Sequence, residues 1–261
     1  MKAPQNKRSH TSLENALRAL KSFSEDEPEI GVSELAEKLN LAASTTHRLL
    51  TSLAAEGFVV KNQNTGKYTL GLSVLQLTNT VTEQLHIIQE SSPILEKLTE
   101  ETGESSHIGI IDKDDVVYLQ KADSIYPARH DSYLGKRIPI HCTSPGQAIL
   151  AFKPEEYIDE KLSLSLKAYT KYTITQRKEL ENKLMNIRQT GFVNSSQEYQ
   201  YNIYSIGAPV FKNDKDVVAS VNIAGPVQRI KPYRKAFTEK IVEAGRQLSD
   251  IIQERHHKEK R

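Results

Sequence analysis

Ser44, Thr45, His47 and Arg48 lie within five positions of one another. Thr46, Leu50 and Leu53 recur at steps of four and three with Leu49 beside them, so a helix over 43–56 would bury that stripe. Ser44, Thr45, His47, Arg48, Thr51 and Ser52 would then face outward. The chemistry open to such a face is recognition of a polyanion. A guanidinium can grip a phosphate or donate bidentately to guanine, and short hydroxyls reach phosphates or bases without holding a helix out of a groove. Lys61 and Lys67, a little downstream, suit neighbouring phosphates. The same residues also suit an ordinary solvated surface, or contact with another protein. Charge leaves the choice open: residues 1–75 hold nine Lys/Arg against eight Asp/Glu, although from 41 to 75 the count is three to one.

The elements needed to position that face can be read on either side. Leu13, Ala16, Leu17, Leu20 and Phe23 predict a helix over 11–23 with those residues as its buried stripe. Ser33 is the expected cap of a helix over 34–40, with Glu34 in its first turn and Leu35, Ala36 and Leu39 inward. Asn40-Leu41 makes the turn into the third helix, and Gly57 closes that helix. The period then changes: 58–61 and 67–70 read as two strands around Asn62-Gln63-Asn64-Thr65-Gly66. Three helices and a hairpin describe a winged helix-turn-helix, which lays its second motif helix in the major groove.

Several runs resemble one family. Gly31-Val32-Ser33-Glu34-Leu35-Ala36, Leu41-Ala42-Ala43-Ser44-Thr45-Thr46-His47-Arg48-Leu49-Leu50, Glu56-Gly57-Phe58 and Gly66-Lys67-Tyr68-Thr69-Leu70-Gly71 are similar to the IclR (isocitrate lyase regulator) transcription factors. So are Glu101-Thr102-Gly103-Glu104, Gly135 to His141, Gly146 to Ala151, Gly191-Phe192, Ala208-Pro209-Val210 and Gly225-Pro226, in the family's order over about 11–250. The resemblance implies a dimer or dimer of dimers on palindromic double-stranded operator DNA. It also implies a GAF-like domain that binds a small, often carboxylate-bearing effector, and a regulator, expected to be a repressor, rather than an enzyme. Ala42 and Ala43 depart from the family's usual Pro and basic residue, removing one expected phosphate contact.

Between Ser73 and Ile88 there is no Gly or Pro, and Val74, Leu77, Val81, Leu85 and Ile88 form a narrow apolar seam. Such a seam can pack on its own domain or join two copies; the latter is favoured as a dimerising linker. Pro93 is expected near the start of a further helix ending at Gly103. Strands are then expected over 107–112, 116–121 and 129–133, helices over 146–152, 155–163 and 175–189, strands over 192–199, 204–211 and 217–224, and a closing helix over 233–254. The expected organisation is a winged helix-turn-helix over 1–72, a linker over 73–90 and an α+β domain over 91–255, mixed α/β as a whole. On the strand at 217–224, Val218, Ser220, Asn222 and Ala224 share a small, partly polar face, which could meet water or line a cavity. The resemblance places the effector at Ser144, Pro145, Ser195, Ile203, Ser205, Asn222 and Ala224. Backbone N–H groups at the helix opening near Gly146 would hold a carboxylate, and His130 and Arg129 could add charge.

Other chemistries have little to stand on. With one cysteine, Cys142, the chain has no internal disulfide, which suits a reducing cytoplasm. His141-Cys142 lacks ligand spacing, so no metal or other cofactor is expected. A hydrolase built on Cys142 needs a histidine and a carboxamide that the sequence does not place. No apolar run approaches the length of a membrane helix, and 1–12 lacks the apolar core of a signal peptide. The formal charge of +2 says little about partners. The competing readings are a ligand-independent architectural DNA-binding protein and an activator.

Overall fold

The computed structural model describes residues 10–24, 26–126, 132–163, 165–213 and 216–259. The chain divides into two compact units, 1–85 and 86–261.

The first unit contains α1 (Ser12–Leu20), α2 (Val32–Leu39), α3 (Ala43–Ala55), β1 (Val59–Lys61), β2 (Tyr68–Leu70) and α4 (Ser73–Gln84). Thr11 opens α1 with a reciprocal cap: its hydroxyl accepts the Glu14 N–H while the Glu14 carboxylate accepts the Thr11 N–H. The inner face of α1 is Asn15 and Ala19; of the expected stripe, Leu20 and Phe23 pack against the core, while Leu13 and Leu17 are 70% and 50% exposed. Helix α2 starts at Gly31, whose N–H donates to Glu34 at 2.8 Å, and Ser33 lies inside the helix rather than capping it. A side chain three residues ahead can replace a capping hydroxyl, which the sequence reading overlooked. Beyond α3, Phe58 N–H bonds to Leu53 C=O and Gly57 N–H to Ala54 C=O, with Gly57 at φ +73. This left-handed residue ends the helix as expected. Leu35, Leu39, Leu50, Val59, Tyr68, Ile30 and Ala19 form the core beneath.

The expected linker is broken. Leu85 (φ −100, ψ 73) ends α4, and α5 (His86–Thr102) runs straight through Pro93 instead of starting there. The rest of the second unit comprises β3 (Ser105–Asp112), β4 (Asp115–Ala122), β5 (Arg137–Pro139), α6 (Ser144–Leu150), α7 (Glu155–Leu162), α8 (Arg177–Thr190), β6 (Val193–Ser196), β7 (Ile203–Asn213), β8 (Asp216–Pro226), α9 (Val227–Ile230) and α10 (Arg234–Glu259). The strand expected over 129–133 lies partly outside the described residues; 132–133 are not strand, and the edge strand is β5 instead. The strand expected over 192–199 is only four residues long as β6.

One antiparallel sheet of order β5-β4-β3-β8-β7-β6 organises this unit. Tyr204, Ile206, Ala208 and Val210 of β7 and Ala219, Val221 and Ile223 of β8 face one way, packing with Leu95, Leu98, Ile241 and Leu248 of α5 and α10. The opposite face carries Ser205 and Gly207 of β7 and Ser220, Asn222 and Ala224 of β8, and α6 packs against it. Close approach explains the small residues. A Cβ on Gly207 would lie 3.2 Å from the Ser144 carbonyl oxygen, and one on Gly146 only 2.2 Å from that of Ile140. No helix is long and apolar enough to cross a membrane among the described residues.

Candidate DNA interface and ligand cavity

Helix α3 buries Thr46 and Leu50 and leaves Ser44, Thr45, His47, Arg48 and Thr51 exposed, as the period predicts. Its N-cap is Ala42, with no side-chain hydrogen bond, so first-turn N–H groups remain open to an external acceptor such as a phosphate. Arg48 forms no ion pair among the described residues and is available to an incoming anion. Thr51 is less so, because its hydroxyl donates to the His47 carbonyl at 2.9 Å.

The two wing lysines differ. Lys61 is exposed, with its ammonium 5.9 Å from the Tyr68 ring centre. Lys67 is held at 2.9 Å by Glu34, raising its pKa, while the Gly31 N–H and then Lys67 hold the Glu34 carboxyl below its usual range. Lys67 therefore ties the wing to α2, and a phosphate would have to compete with Glu34. Glu29 fixes the wing's base from the other side, accepting from Asn62 Nδ2 at 2.7 Å.

The second unit holds a cavity of about 440 Å³, its mouth included. Ser144 and Pro145 of α6, Ser195 of β6, Ile203 and Ser205 of β7 and Ala224 of β8 all line it. Register explains their convergence, since Ser195 pairs with Ser205 and Ser205 with Ala224 across three adjacent strands. One expected member among the described residues is not in the wall. Asn222 lies one step deeper, fully buried beside the Tyr118 hydroxyl, yet neither of its amide atoms closes a full hydrogen bond. His130 and Arg129 lie outside the described residues. Ser144 and Pro145 do not precede the helix but form its first turn, where Pro145 has no N–H to offer.

The remaining wall went unrecognised in the sequence. Tyr118 and Ile138 come from β4 and β5, Cys142 and Thr143 precede α6, and Gln197 to Gln200 bridge β6 and β7. That bridge turns through left-handed backbone at Gln197 (φ 61) and Asn202 (φ 63). The polar and aromatic run Gln197-Glu198-Tyr199-Gln200-Tyr201-Asn202 was its available signal. Glu198 is 6% exposed; Lys183 Nζ meets its Oε1 at 2.5 Å and Gln147 Nε2 its Oε2 at 2.8 Å. Burial pushes the Cys142 thiol and the Tyr118 hydroxyl up and holds His141 down. A thiol kept protonated is a poor nucleophile, so the geometry does not favour hydrolytic chemistry at Cys142.

Comparison with known proteins now decides the family. Residues 12–63 match the IclR helix-turn-helix domain, and residues 79–250 match the bacterial transcriptional regulator IclR C-terminal domain. The chain belongs to the IclR family. It is 31% identical to the HTH-type transcriptional regulator KdgR of Dickeya chrysanthemi over 227 residues, 86% of this chain and 74% of that protein. To the transcriptional repressor IclR of Escherichia coli K12 it is 26% identical over 242 residues, covering 91% and 88%. An IclR homologue from Microbacterium hydrocarbonoxydans, solved with 4-hydroxybenzoate, shares the fold with a TM-score of 0.82 at 22% identity, covering 93% of this chain and 99% of that one. The chain is thus an IclR-type DNA-binding transcriptional regulator.

Proposed function

We propose that the chain is a repressor whose hold on a palindromic operator is altered by a small organic acid bound in the second unit. The observation that carries this reading is the cavity. Six of the seven described residues that the family resemblance assigns to an effector come together in one wall. Repression is supported by the name of the E. coli relative, and an acid by the hydroxybenzoate held by the Microbacterium homologue. Ser44, Thr45, His47 and Arg48 would face the major groove, with Thr51, Lys61 and Lys67 toward the backbone.

We assign operator binding to 1–72, self-association to 73–90 and effector binding to 91–255. Leu77 and Val81, one turn apart on α4, are each more than half exposed, an apolar seam that a second copy would cover in a dimer or dimer of dimers.

The test is fluorescence anisotropy on operator DNA with and without a fractionated metabolite extract, for wild type and for Ala224→Phe, which fills the cavity. The expected result is a fraction that shifts wild-type affinity and leaves the variant indifferent. A shift of equal size in both proteins would remove the cavity from the mechanism. Indifference of both would favour the ligand-independent architectural reading.

A further inference from the structure

The cavity wall is polar, but its hydrogen-bond protons are unevenly distributed. Ser205 Oγ lies 2.8 Å from the Ile223 carbonyl oxygen, which can only accept, so the single Ser205 proton is directed there. Ser205 Oγ is also hydrogen-bonded to Ser144 Oγ. With the Ser205 proton already donated, Ser144 must supply the proton of that bond. The Thr143 hydroxyl donates to the Pro139 carbonyl at 2.6 Å. Three neighbouring hydroxyls have therefore turned their protons into the protein and keep lone pairs for the cavity. Glu198 continues the same edge. Each carboxylate oxygen has one donor, Lys183 or Gln147, and retains further accepting capacity. Behind it, the fully buried Gln147 Oε1 has no hydrogen-bond partner.

We infer that the side chains of Thr143, Ser144, Ser205 and Glu198, set beside the open N–H groups of the first turn of α6, form an acceptor edge that selects a polyhydroxylated ligand, whose O–H groups supply the missing donors. This deepens, and rests on, the reading of the cavity as the effector site. A carboxylate placed against this edge would set lone pairs against lone pairs beside an existing carboxylate. An acid effector must therefore turn its carboxylate away from these side-chain oxygens and present hydroxyls to them. The hydroxyl of Ser195, which pairs with Ser205 across the strands, has no hydrogen bond among the described residues and can donate or accept.

The test uses acids matched in carbon number and charge but not in hydroxyls: propionate, lactate and glycerate, then hexanoate against its pentahydroxy counterpart. Binding to the full chain is measured by calorimetry and thermal shift, without DNA. The expected result is tighter binding of the hydroxylated member, by about fivefold for each hydroxyl seated. Equal or weaker binding of the hydroxylated acids, or no binding by any member, overturns the inference. Ser205→Ala supplies an independent readout. It frees the Ser144 proton to point into the cavity, so the hydroxyl preference should shrink and the plain acids should gain. An unchanged preference in a folded variant also overturns it, and if that variant does not fold, the wild-type series still decides. Failure of the effector reading has another signature: the operator complex ignores every acid, whatever the free protein binds.

Discussion

Asn222→Val asks whether the amide beneath the cavity is kept for a ligand. The side chain is fully buried in the middle of β8, and neither its oxygen nor its nitrogen closes a hydrogen bond of good geometry, although the Tyr118 hydroxyl lies beside it. An unsatisfied buried polar atom costs about 1–3 kcal/mol, so the two atoms together carry a penalty of about 2–6 kcal/mol. Valine suits a central strand and removes both atoms, while imperfect packing of its branched methyls returns roughly 1–3 kcal/mol. The net expectation is a variant more stable than wild type by about 2 kcal/mol. For a unit of this size, that raises the melting temperature by roughly 4–8 °C. Urea unfolding followed by far-UV circular dichroism gives the free energy, and calorimetry gives the temperature shift. The same variant should lose its response to effector while keeping operator affinity in its absence. A loss of 1 kcal/mol or more at unchanged m-value would refute the reasoning, because it would mean that the Tyr118 hydroxyl satisfies the amide in the folded protein.

Arg48→Ala should weaken operator binding at least tenfold by anisotropy, since an exposed guanidinium on the groove-facing side contributes about 1–3 kcal/mol; unchanged affinity would take α3 out of the interface. Glu34 links pH to the first unit. Its carboxyl is held below 4.5 by the Gly31 N–H and by Lys67, so the stabilisation is present above that value and lost as pH falls through the lower folded-state value. The stability gap between wild type and Glu34→Gln should therefore close on acidification, and a gap that persists in acid would show that ionisation is not its source. Cys142, buried and held as the thiol, should resist iodoacetamide in the native protein and react on unfolding. Rapid native alkylation would show that the wall around it opens.

Much of this architecture was legible because its causes are local. The Thr46–Leu50 step fixed which face of α3 turns outward, and the two-residue alternation along β7 and β8 separated the faces that α10 and α6 cover. The failures share a different cause. Leu13 and Leu17 fit the helical stripe of α1, yet the core takes Asn15 and Ala19, because packing selects an arc that periodicity alone does not locate. Pro93 lies within a helix because the preceding turns already run helically from His86. Leu85 breaks the linker without a Gly or Pro to announce it. At the cavity, strand register brought together Ser195, Ser205 and Ala224, but Tyr118, Thr143 and Glu198 arrive from distant segments. The direction of each hydroxyl proton depends on carbonyls, at Ile223 and Pro139, that only tertiary structure supplies.

The central claim is that one chain couples an operator site to a ligand cavity, and coupling is reciprocal. The most direct measurement is the ligand's dissociation constant by calorimetry, first on free protein and then on protein saturated with operator DNA. For a repressor released by its effector, the ligand should bind the operator-bound form more weakly, by the same factor by which it weakens operator binding. Equal affinity for the two forms would contradict the account.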